Sequence, residues 1–182
     1  MTSNPTYFLY LSSFPNAPYL TSNADPANVK FMINWDTFFN RDNYRYKSCR
    51  VRFSFRSNPC TTTNYNYAPN SFTGFIAVDG LRGVENGVMG SVPIGLFNPV
   101  TCQYLVNNVV TTATTLQGDD LTSACGHNFQ MPTGFREIAI HLYQNTYGPN
   151  STPISLSSVT NQGLGNWNLQ LMFELYDPVD EI

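Results

Sequence analysis

The residues that could do chemistry are few in this sequence, and their spacing matches no catalytic or metal-binding motif. The two histidines, His127 and His141, lack the HxH or HxxxE spacing of a cupin-like metalloenzyme. The sequence Cys125-Gly126-His127 brings a thiol near an imidazole, but no third group is in place to orient the pair. No GxSxG motif of a serine hydrolase occurs. We therefore expect no enzymatic activity, no cofactor and no bound metal.

The cysteines indicate a reducing compartment. Cys49, Cys60, Cys102 and Cys125 fit neither a CxxC pair nor a zinc knuckle. The first residues lack the basic region and cleavage site of a signal peptide. We therefore expect free thiols and, because no apolar run reaches the roughly 18 residues that a transmembrane helix needs, no membrane span.

Charge is scarce and unevenly distributed. Charged residues make up 12% of the chain and the formal net charge is −3. The segment 41–56, called here the basic ribbon, contains six of the nine basic residues and one acid, Asp42, so that it carries +5 and the rest of the chain −8. The chain ends in an acidic tail, which comprises Asp177, Asp180 and Glu181.

Two interpretations of this asymmetry are open: solvated surface charge, or a contact in which the basic ribbon of one subunit meets the acidic tail of another. The candidate subunit-contact residues are Arg41, Arg45, Arg50, Arg52, Arg56, Asp177, Asp180 and Glu181. We do not expect nucleic-acid binding, because Phe53 and Phe55 point away from the arginines on an alternating strand and the net charge is negative.

Two long segments rich in Thr, Asn and Tyr, 57–71 and 111–125, are predicted to be loops. Loops of this length in a compact domain often carry function. Four tyrosines are candidates for contact with neighbouring proteins or with a carbohydrate ligand: Tyr65, Tyr67, Tyr104 and Tyr147.

The elements that must position these residues are β-strands. In the closing segment Trp167, Leu169, Leu171, Phe173 and Leu175 occupy every second position, which predicts a strand with one buried face. Similar alternation, separated by turn-forming residues, predicts further strands over Val29–Trp35, Lys47–Arg56, Phe72–Asp79, Val92–Phe97, Cys102–Val110, Gly126–Met131, Arg136–Tyr143 and Ile154–Val159.

This series predicts an all-β fold, a single jelly-roll β-sandwich of eight or nine antiparallel strands with long loops. An immunoglobulin-type sandwich would have fewer strands and a Cys/Trp/Cys arrangement that is missing here. Residues 29–182 are expected to form the sandwich. Residues 1–28 are expected to form an extended arm, because Pro5, Pro15, Pro18 and Pro26 disfavour sheet pairing.

Three segments, Phe31–Phe39, Tyr46–Ser57 and Trp167–Glu174, together resemble the single jelly-roll minor capsid or penton-type proteins of icosahedral DNA viruses. The resemblance implies a virion structural protein, made in the host cytoplasm, that self-associates and contacts other capsid proteins through loops and termini. A carbohydrate- or receptor-binding β-sandwich, such as a fibre head or lectin, is the alternative.

Overall fold

Eleven strands and one short helix make up the described part of the chain. The computed structural model describes residues 4–40, 45–58, 74–83, 92–122, 126–144, 154–155 and 165–177. The elements are β1 (Thr6–Ser12), β2 (Leu20–Asp25), β3 (Asn28–Asn34), α1 (Trp35–Phe38), β4 (Ser48–Ser57), β5 (Gly74–Asp79), β6 (Val92–Val106), β7 (Val109–Asp119), β8 (His127–Gln130), β9 (Phe135–Gln144), β10 (Ile154–Ser155) and β11 (Trp167–Tyr176).

The strand pairing is that of a long hairpin rolled into two sheets. β1 pairs with β11, β3 with β9, β4 with β8, and β5 with β6, all antiparallel, so that early strands meet late ones in nested order. β11 also pairs with β4, and β9 with β5, which gives the orders β1-β11-β4-β8 and β2-β3-β9-β5-β6 in the two sheets. β6 and β7 join the two into one continuous curled sheet. This nesting is the jelly-roll arrangement, and it confirms the predicted fold class.

The core lies between the two sheets and combines aliphatic side chains with large aromatic rings. All five alternating residues of the closing strand β11 are buried, as are Cys49, Val51, Phe53 and Phe55 of β4, which confirms both predicted core faces. Aromatic rings are in contact across the sandwich. The ring centroids of Phe31 on β3 and Trp167 on β11 are 6.2 Å apart, and those of Phe55 on β4 and Phe97 on β6 are 5.3 Å apart. Burial of such large side chains supplies most of the driving force for folding.

β6 differs from the sequence expectation, which ended one strand at Phe97 before the turn-forming pair Asn98-Pro99, began another at Cys102 and predicted a loop over 111–125. A single strand runs through Asn98-Pro99 and changes partner there, pairing with β5 over 92–97 and with β7 over 98–106. The turn lies instead at Asn107 and Asn108, both with positive φ (49° and 65°). Asparagine tolerates this backbone region, and two such residues form the tight turn of a hairpin. Residues 109–119 are therefore strand β7.

The predicted N-terminal arm is also corrected by the structure. Residues 6–12 form β1, which pairs with β11 along seven residues, and residues 20–25 form β2, which pairs with β3. The prolines do not interrupt these strands, because Pro5 precedes β1, Pro15 and Pro18 lie between β1 and β2, and Pro26 lies between β2 and β3. Proline at a strand end removes no hydrogen bond between strands. Residues 6–12 and 20–25, which the sequence assigned to an extended arm, therefore belong to the sandwich.

Candidate assembly surfaces

Three arginines of the basic ribbon, Arg50, Arg52 and Arg56, lie on the outer face of β4, and two of them pair within the chain. Arg50 and Arg52 point away from the core toward Glu174 on the adjacent strand β11. The Arg52 Nη1 atom lies 3.0 Å from Glu174 Oε2, and Arg50 Nη1 lies 3.8 Å from the same oxygen. The Arg50 guanidinium also lies over the Tyr176 ring, 5.3 Å from its centroid. One carboxylate thus offsets part of the charge of two arginines.

The structure describes three of the remaining candidate contact residues, Arg45, Arg56 and Asp177. Arg56 is exposed on β4, and Arg45 stacks on the neighbouring Tyr46 ring at 4.8 Å. Asp177 follows β11 and is half-buried. Arg41, Asp180 and Glu181 lie outside the described residues. The contact between basic ribbon and acidic tail therefore stays a prediction.

The candidate tyrosines fall almost entirely outside the described residues. Tyr65, Tyr67 and Tyr147 belong to segments that the structure does not describe. Tyr104 lies on β6, where its backbone is paired with Thr111 of β7. Their proposed contacts stay predictions.

The surface that sequence reasoning missed is the outer part of the β6–β7 hairpin, residues 101–116, called here the hairpin arm. Within the described chain, β6 pairs beyond residue 98 only with β7, and β7 pairs before residue 117 only with β6. Among the described residues, each strand of the arm therefore has one edge without a strand partner. A two-stranded ribbon is marginally stable in water by itself, so other contacts are needed to hold it.

Part of that support comes from the base of the hairpin arm. The Leu116 backbone N–H donates to Ser57 Oγ at 2.8 Å, and the Thr115 hydroxyl donates to the Val100 carbonyl at 3.4 Å. The Cys102 thiol donates to the Ala113 carbonyl at 3.4 Å. Below the arm, β7 joins β4 through three residue pairs, Ser54 to Arg56 with Gln117 to Asp119.

The tip of the hairpin arm is apolar, exposed and uncharged. Leu105, Val109 and Val110 are 69%, 64% and 62% exposed. No charged residue occurs between Asn98 and Gly118, and six of the eight residues over 109–116 are valine or threonine. Soluble proteins protect a free edge with charge, proline or a bulge. The arm has no charge and no proline within 101–116, and the Asn107-Asn108 turn between two β-branched runs is the sequence signal that could have located it.

The two histidines considered for catalysis lie on strands of different sheets. Burial raises the pKa of the Cys49 thiol to about 12, which makes it an inert core thiol. His127 lies on β8 and His141 on β9, in different sheets, while Cys125 falls outside the described residues. The described residues contain no group of three or more His, Cys, Asp or Glu side chains that could hold a metal ion. Within the same residues, no helix has the length and apolar character needed to cross a membrane.

Comparison with known proteins does not assign the chain to a family. No protein family matches the sequence, and no curated protein is similar to it. One solved structure, described as "Crystal structure of 60-mer BFDV Capsid Protein", aligns with 98% of this chain and 98% of its own at 10% identity. Its TM-score is 0.18, too low for any conclusion about fold or function to rest on it.

Proposed function

We propose that this chain is a structural subunit of a virus particle, of the minor capsid or penton type, and that it has no catalytic role. The observation that supports this best is the hairpin arm, whose tip is apolar and uncharged and whose two strands each have an edge without a strand partner among the described residues. An unprotected strand edge is a template for pairing with another chain. The sequence resemblance to jelly-roll capsid proteins and the low content of charged residues point in the same direction.

The partner proposed is a second copy of this chain, together with other capsid proteins. Identical edges can meet only if they do not repel each other, and the hairpin arm carries no charge that would do so. Added β-strand pairing would also satisfy the free backbone groups of the arm. In this proposal the protein is made in the host cytoplasm and resides in the virion.

The oligomeric state of the purified chain tests the proposal. We expect native mass spectrometry to show a closed oligomer, and the double variant Leu105→Lys, Val110→Lys to be monomeric, because these residues face each other across the arm and lysine on a free edge opposes pairing. The matched control is Phe135→Lys, because Phe135 is also 69% exposed but lies on β9.

Three results would contradict the proposal. They are a wild-type monomer that also fails to join co-expressed capsid proteins, an oligomer that survives the double substitution, and equal dissociation by the Phe135 control. Circular dichroism of each variant would establish that the sandwich remains folded.

A further inference from the structure

A polar cleft of about 270 Å³ lies on the outer face of the sheet β3-β9-β5. Its floor is Ala139, a small residue in the centre of the sheet, and Asp79 and Lys30 are paired with it from the two neighbouring strands. The other walls include Asn28, Glu137 and His141. None of these residues belongs to the hairpin arm, so the cleft is a separate feature.

The charges in the cleft favour a neutral ligand. Lys30 Nζ lies 3.0 Å from Glu137 Oε1, so that this acid and this base largely neutralise each other. One carboxylate oxygen of Asp79 accepts the Gly80 backbone N–H at 2.8 Å, and among the described residues the other has capacity for a further donor. The carboxylates oppose an anion, and the described residues contain no group of acids and histidines that could hold a metal ion.

The hydrogen-bonding groups suit hydroxyls, which both donate and accept. Asn28 Oδ1 is buried and has no hydrogen-bond partner in the described part of the chain. Asn28 lines the cleft, so a turn of its amide group would bring this acceptor to a ligand hydroxyl and recover the free energy that its burial without a partner costs. Burial lowers the pKa of His141, so its imidazole is neutral near pH 7 and offers one donor and one acceptor.

An apolar side accompanies these polar groups. His141 stacks on Tyr143 with ring centroids 5.8 Å apart, and Tyr143 stacks on Phe75 with centroids 4.9 Å apart. These stacking contacts restrain the imidazole ring beside the cleft. Together with the Ala139 methyl group, this ring gives the cleft one apolar surface next to several convergent polar groups. Small-molecule sites commonly have this mixture.

We propose that this cleft binds a neutral monosaccharide unit, with its hydroxyls on Asn28, Asp79 and Glu137 and its apolar face toward Ala139 and His141. A pyranose has the required shape, since its rim bears hydroxyls and its faces bear C–H groups. The site does not use the loop tyrosines named from the sequence, and it does not depend on the assembly role proposed above.

The test is a titration of the full-length chain with the methyl glycosides of glucose, galactose, mannose and N-acetylglucosamine, followed by backbone amide NMR. We expect at least one sugar to shift the Asn28, Ala139 and His141 amides with a Kd in the range of about 1–10 mM. Ala139→Leu fills the floor of the cleft and should weaken binding at least about tenfold. The matched control, Ala24→Leu, makes the same change at an exposed position of β2 outside the cleft.

A second variant, Asn28→Leu, tests sugar binding independently in case Ala139→Leu disturbs the sheet. Asn28→Leu removes an acceptor that has no protein partner, so it should leave thermal stability unchanged or higher while it weakens sugar binding about threefold to tenfold. The proposal is overturned if no neutral glycoside shifts these amides at about 50 mM. It is also overturned if Ala139→Leu binds like wild type, or if N-acetylneuraminic acid, an anionic sugar, binds more tightly than every neutral one.

Discussion

One serine hydroxyl adds to the attachment of the hairpin arm to the sandwich, and replacing it gives a sharp prediction. Ser57 is the last residue of β4 and is 3% exposed. Its Oγ accepts the buried Leu116 N–H at 2.8 Å and donates to the Asn58 carbonyl at 2.9 Å. This side-chain bond extends the three-residue β4–β7 ladder by one step, at the point where the arm leaves the sheet.

Ser57→Ala removes the acceptor and leaves the Leu116 N–H buried without it. An unsatisfied buried donor costs about 1–3 kcal/mol. Taking about 2 kcal/mol, the melting temperature of a chain of this size should fall by about 4–8 °C. If the arm opens locally, amide exchange over 109–116 should be about 30-fold faster, since each 1.4 kcal/mol is a factor of ten.

The matched control is Ser48→Ala at the opposite end of the same strand. Ser48 is 4% exposed, so burial is nearly equal, but its backbone pairs with Gln130 of β8 and not with the arm. Thermal unfolding and hydrogen exchange are measured on both variants. If both lose equal stability, or if exchange in the arm is the same in Ser57→Ala as in wild type, the hydroxyl does not anchor the arm and the reasoning is refuted.

Two further predictions concern charged and titratable groups on the sheet faces. Glu174→Gln should cost about 1–3 kcal/mol in urea unfolding, because Glu174 bonds to Arg52, whose side chain is only 12% exposed. Glu137→Gln, whose pair with Lys30 is 42–46% exposed, should cost less than about 1 kcal/mol, and equal losses would contradict this. The folded-state pKa of His141 is lowered from 6.5 by burial, against the opposing charges of Asp79 and Asp25 and with a small contribution from Lys30. On acidification the unfolded chain therefore binds the proton first, so stability should fall below pH 6.5, and this fall should be smaller in His141→Gln in urea titrations between about pH 7.5 and pH 5.

Most strands could be predicted from the sequence because their signal is local. Trp167 to Leu175 and Cys49 to Phe55 bury every second residue, and that alternation is visible without knowledge of any partner. β6 could not be delimited in this way. Asn98-Pro99 is a turn signal locally, but pairing of these residues with Gln117 and Leu116 of β7 keeps the chain extended. Here a nonlocal ladder overrides local preference.

The polar cleft was not predictable for a related reason. Its residues come from three strands that are distant in the sequence: Asn28 and Lys30 on β3, Asp79 on β5, and Glu137 and His141 on β9. They become neighbours only through the strand register, so no motif spacing records them. The same holds for Glu174, which lies 122 residues from Arg52 in the sequence and in hydrogen-bond contact with it in the fold.

The hairpin arm and the polar cleft can act at the same time, because the jelly roll separates them. The arm continues β6 past its pairing with β5 and joins the other sheet through β7 and β4. The cleft lies over β3, β9 and the end of β5, where β9 separates β5 from β3. Edge pairing through β7 adds a strand in the plane of its own sheet, so it need not cover the outer face of the sheet that contains β9. The proposed closed oligomer would then present one sugar site per subunit. Several weak sites on one particle would bind a glycan-bearing surface far more tightly than one site would.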